Sequence, residues 1–137
     1  MNIRSFLEAV SIGGKTAFLS AAFWFAVLVI YGTVTGSEVI YLQPGLMIIA
    51  YISVILGGLS AGMADGTLGW LQGGVVAVFY LFAIMVLKAV MFPIAEFGAA
   101  ELVSSAGILL AGAFGGVTGI NLRPLKRQKV RRKYLRG

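Results

Sequence analysis

The chain of 137 residues contains no cysteine and no histidine. That excludes a disulfide framework and removes the thiolate and imidazole ligands on which many metal sites are built. Acid is scarce too, with five Asp and Glu against eleven Lys and Arg. Charged residues of both signs make up 12% of the chain, about half of the ~25% that a soluble domain carries. A soluble chain of this length would lack the polar material to cover its surface. No acid–base pair, nucleophile–base pair or metal cluster emerges from the residues that remain, so no catalytic residue, metal or cofactor is assigned.

What is abundant is apolar. Hydrophobic residues reach 59%, and mean hydropathy is +0.95. Four runs carry no charge: 16–37, 39–64, 66–87 and 102–122. A bilayer core needs about 20 apolar residues of helix. In lipid the backbone must bond to itself, and the alternating pattern of a barrel strand is missing. The sequence therefore predicts an all-α membrane protein with four transmembrane helices, near 16–34, 46–64, 69–92 and 100–120. Residues 1–122 form the transmembrane domain and 123–137 a basic tail. The first run is longer than the ~7–15 residues of a secretory signal and no A-x-A site follows it, so it reads as a retained helix.

Basic residues cluster at the two ends. Arg4 and Lys15 precede the first run, and the tail holds Arg123, Lys126, Arg127, Lys129, Arg131, Arg132, Lys133 and Arg136. Glu38, Glu96 and Glu101 flank the opposite helix ends. Basic flanks stay cytoplasmic, and four spans return the chain to its starting side. The expectation is a multi-pass protein of a bacterial cytoplasmic membrane with both termini inside. Ile3, Phe6, Leu7 and Val10 recur at helical spacing, which predicts a short helix lying on the inner surface before the first span.

Glycine is the other abundant residue, with 19 in the chain. The stretch GAFGGVTGIN, 112–121, places Gly112, Gly115, Gly116 and Gly119 at i, i+3, i+4 and i+7. A phosphate-cradling loop would follow a strand and carry a lysine, and this stretch has neither. The spacing instead puts the glycines on one helix face, where two backbones can approach closely. Helix 2 repeats the device with Gly57, Gly58 and Gly62, and helix 3 opens with Gly69 and Gly73. Helix 4 is expected to pack on helix 2 through Gly58 and Gly62. GGLSAG at 57–62 echoes GGVTG at 115–119, and GGKTA at 13–17 echoes GGVVA at 73–77. This weak repeat is compatible with two tandem helical hairpins.

The polar residues of the spans have structural readings. Lys88 lies about one turn from the end of helix 3 and can snorkel to the interface. Asp65 or Thr67 is expected to cap helix 3, and Asn121 with Pro124 to end helix 4. Ser53, Ser60, Gln72 and Thr118 lie near the glycine faces, where they either form interhelical hydrogen bonds, each contributing on the order of 0.6 kcal/mol, or line a narrow polar path. Trp70 and Tyr41 fall at the expected interfaces.

The run ILGGLSAGMADGTLGWLQGGVVAVFYLF (55–82), together with GAFGGVTGIN, resembles a family of small four-helix integral membrane proteins. That family is widespread in Firmicutes and known only as a domain of unknown function. Its GG-x-x-AG helix end matches Gly57, Gly58, Ala61 and Gly62. Its GW-x-x-G opening matches Gly69, Trp70 and Gly73, and its GG-x-x-G-x-N end matches Gly115, Gly116, Gly119 and Asn121. Family members often carry basic residues in the middle turn, where this chain has Asp65. The resemblance implies a fold and no activity.

These features point to a non-enzymatic protein, an assembly or accessory subunit acting through glycine-rich helix faces and a polybasic tail. Its expected partners are the bilayer, anionic lipids at the tail cations, and a second copy or another membrane protein. Nucleic acid fits less well: Tyr134 is the tail's only stacking ring, and ribosome contact is the runner-up for the basic residues. A small channel or transporter is the alternative function. Against it, no span holds a carboxylate beyond its first turn or a broken centre.

Overall fold

The computed structural model describes residues 3–36, 42–65, 68–91 and 98–135. The side chains of 123–135, and of Asp65 and Lys88 among others near helix ends, lie outside this description, as do Glu38, Tyr41, Thr67 and Glu96. The described chain forms four helices: α1 (Ile3–Thr35), α2 (Leu42–Asp65), α3 (Gly69–Met91) and α4 (Ala99–Leu135). Each contains a segment long and apolar enough to cross a membrane.

Helix boundaries follow from backbone chemistry. Gly36, with φ +60°, ends α1 in a left-handed conformation that a side chain would disfavour. Pro44 falls in the first turn of α2, where its missing N–H costs no intrahelical bond. The Gln72 N–H donates to the Leu68 carbonyl at 3.0 Å, so Leu68 stands at the N-cap of α3 and Asp65 at the last position of α2. Gly98 caps α4, accepting from the Glu101 N–H at 3.0 Å. Glu101 lies in that first turn, where a carboxylate faces the positive end of the helix dipole.

Two helices run longer than the sequence suggests. No separate surface helix precedes the first span: α1 is continuous through Gly13 and Gly14. Its buried residues there are Ala9, Gly13 and Ala17, whereas Ile3 and Leu7 of the apolar stripe are exposed. A packed small-residue face thus holds the early turns of α1 in line, offsetting the poor helix propensity of glycine. Nor do Asn121 and Pro124 end α4, which continues to Leu135. A proline forfeits one bond, here to the Ile120 carbonyl, and the helix can resume after it.

The arrangement is up-down-up-down, with α2 and α3 at the centre. Among the described residues α1 packs on α2 and α3, α4 packs on α2 and α3, and α1 and α4 do not meet. The core is made of Ala17, Ala50, Val54, Ala61, Val76, Ala77, Tyr80 and Ile108. Small residues dominate because lipid is as apolar as any core. Close backbone approach, rather than apolar burial, is what separates a helix contact from a lipid contact.

Candidate functional site

A seam of glycines lies where α2, α3 and α4 converge. A methyl group built on Gly112 would lie 2.6 Å from the Gly73 carbonyl oxygen and 2.7 Å from the Ala77 Cβ. One on Gly116 would strike the Gly69 carbonyl, and one on Gly69 or Gly62 would strike the Gly116 carbonyl. Gly58 and Gly73 meet the Gly112 carbonyl in the same way. On the adjoining face of α4, Gly115 and Gly119 stand over the carbonyls of Ile55 and Leu59 in α2. Because the obstructing atoms are backbone, no rotamer change can make room. Phe114 and Val117, between these glycines, face outward.

Gly58 and Gly62 therefore oppose α4, and so do Gly69 and Gly73 of α3, a contact with helix 4 that spacing alone does not single out. Gly57 turns elsewhere. A methyl on it would lie 2.7 Å from the Ala17 Cβ and 2.8 Å from the Gly13 carbonyl oxygen. Gly13 in turn approaches the Gly57 oxygen at 2.6 Å and the Ala61 Cβ at 2.7 Å. This second seam joins α1 to α2 through Gly13 and Ala17. Its sequence mark is small residues at spacing four, Ala9, Gly13 and Ala17.

Not every glycine is engaged. Methyl groups built on Gly14, Gly32, Gly74 and Gly98 would meet nothing within 4 Å. Gly107 leaves room for a side chain rather than a backbone: the Tyr51 hydroxyl sits over it and donates a long bond, 3.5 Å, to the Ser104 carbonyl.

The hydroxyls divide into two sets. Ser60 donates to Leu56 O at 2.8 Å and Thr118 to Phe114 O at 2.9 Å. These bonds stay within one helix, so the two residues do not make the interhelical bonds expected of them. A short side chain in lipid finds its nearest acceptor one turn back on its own helix. Ser53 and Gln72 behave differently, being fully buried between helices. Trp70 is exposed at the start of α3. The tail residues assigned to lipid head groups, Arg123 to Arg136, lie outside the described side chains.

Among the described residues no group of three or more His, Cys, Asp or Glu is placed to hold a metal. In this seam, buried backbone carbonyls seat against glycines of the neighbouring helices over several turns. The family model for a protein of unknown function, DUF3792, matches residues 7–119, and the chain belongs to that family. No curated protein and no solved structure matches it.

Proposed function

We propose that this DUF3792 protein is a non-enzymatic assembly or accessory subunit of a bacterial cytoplasmic membrane, with both termini cytoplasmic. The glycine-rich faces build a rigid four-helix unit. Partner contacts then fall to its outer surface and to the basic tail, which meets anionic head groups. The observation that carries this reading is the seam itself. Where Gly58, Gly62, Gly69, Gly73, Gly112 and Gly116 converge, backbone lies against backbone. A solute could pass there only if whole helices separated, which favours a structural unit over a small channel.

Purification of the native protein in mild detergent, followed by mass spectrometry of what travels with it, tests the proposal. A stoichiometric membrane protein or a second copy is expected. Solute flux through proteoliposomes that hold the purified chain alone would overturn it in favour of transport.

A further inference from the structure

Three hydroxyl residues from three helices, Ser20, Ser53 and Tyr80, stand at one level of the bundle. Ala17 lies against Gly57, and further along the same pair of helices Leu28 lies against Gly45. These contacts fix the antiparallel register of α1 on α2. Three residues along α1 from Ala17 and four back along α2 from Gly57 stand Ser20 and Ser53, which are level. Val76 lies against Gly57. Four residues on along α3 and four back along α2, the same step reaches Tyr80 and Ser53. The Tyr80 hydroxyl faces that of Ser53 without closing a hydrogen bond of standard geometry.

The environment is closed. Ser53 is 0% exposed and Tyr80 6%. The oxygens of Ser20 and Ser53 are both sealed from solvent, and neither has a hydrogen-bond partner within the protein. By contrast Thr16, Ser60, Ser104 and Thr118 all bond the carbonyl four residues back in their own helix. A buried hydroxyl left without a partner costs about 1–3 kcal/mol, and two occur here at one level.

We propose that Ser20, Ser53 and Tyr80 form a binding site for an ordered water molecule that bridges α1 to α2 and α3. The chemistry of the three groups selects the ligand. All are neutral, so an ion would stay uncompensated in a low-dielectric interior. Each hydroxyl donates one bond and accepts others. A water molecule supplies two donors and two acceptors, which matches a site of about three polar partners. The bridge gives α1, otherwise held by small residues, a directional tie to the central pair.

The test uses the full chain reconstituted in nanodiscs. Water-to-amide cross-relaxation is measured by NMR at the amides of Ser20, Ser53 and Tyr80, with Ser53→Ala and Ser20→Ala as comparisons. A long-lived water contact is expected in the parent and is lost in both variants. The ratio of folded to unfolded protein should fall roughly 5- to 30-fold in each variant. The double variant should lose no more than the worse single one, because both break the same bridge. A dry site in the parent overturns the proposal whatever the variants do. So does a gain in stability in either alanine variant, which would mean that the hydroxyl had been buried without a partner.

Discussion

Gly73 and Gly74 are neighbours in α3, and the structure assigns opposite outcomes to the same substitution at each. A methyl on Gly73 would run into the Gly112 carbonyl and lie 2.9 Å from its carbon and 3.1 Å from the Gly116 Cα. A methyl on Gly74 would meet nothing within 4 Å. Both residues are helical, so both alanines gain about 0.5–1 kcal/mol from the lower backbone entropy of the unfolded chain. At Gly74 that gain stands alone. At Gly73 it is opposed by overpacking, which costs typically 1–3 kcal/mol. The cost falls at the upper end because the obstacle is backbone and α4 must move as a unit. Gly74→Ala should therefore raise stability by about 0.5–1 kcal/mol. Gly73→Ala should lower it by about 1–2 kcal/mol net. Reversible unfolding in mixed micelles, followed by Trp fluorescence and far-UV circular dichroism, reads both. Equal shifts of one sign would refute the idea that close backbone approach, and not glycine content as such, holds the helices.

The same contrast is expected in α1, where Gly13→Ala should destabilise and Gly14→Ala should not, since only Gly13 abuts Gly57, Ala61 and Val76; thermal unfolding compares them. Gly107→Ala should collide with the Tyr51 hydroxyl, and adding Tyr51→Phe should recover part of the loss; an additive double variant would show that the two do not share a site. Single cysteines at Glu38 and Gly137 should label from opposite sides of intact cells, and equal labelling from outside would exclude the proposed topology. The peptide 122–137 should co-sediment with anionic vesicles in preference to zwitterionic ones. Neutralising Arg131 and Arg132 should weaken it by about 2 kcal/mol; equal binding to both vesicle types would dismiss head groups as the tail's partner.

Much of this architecture is open to a reading of residues alone. The spans are legible because charge is nearly forbidden in hydrocarbon, so runs without Asp, Glu, Lys or Arg mark them directly. The glycines at 112, 115, 116 and 119 are legible as a face for a related reason. In lipid, only small residues distinguish a packed side from a solvated one. The stripe Ile3, Phe6, Leu7 and Val10 misleads in part by that same logic, since Ile3 and Leu7 are exposed while Val10 packs against the core. Hydrophobic periodicity reports burial in water, whereas here Gly13 and Ala17 carry the contact. Side-chain hydrogen bonds are the least legible. Ser60 and Ser53 look alike in sequence, yet one bonds Leu56 in its own helix and the other is enclosed between helices. The choice depends on rotamers and neighbours that spacing does not encode. Pro124 shows that a breaker sets a local cost rather than an end, since the turns beyond it still form.

The length of α4 has a mechanical meaning. At 37 residues it is about 55 Å long, against some 30 Å of hydrocarbon. The 13 residues from Arg123 to Leu135 add roughly 20 Å of rod beyond the apolar stretch. A flexible tether would let whatever grips its cations move freely of the bundle. A rod does not. Its fulcrum is the row of carbonyls that Gly112 and Gly116 press against, and its arm is the basic extension. Under the proposed contact with head groups, a load on that arm would reach the seam as torque on the contacts with α2 and α3, softened at the turn where Pro124 leaves the Ile120 carbonyl without its bond.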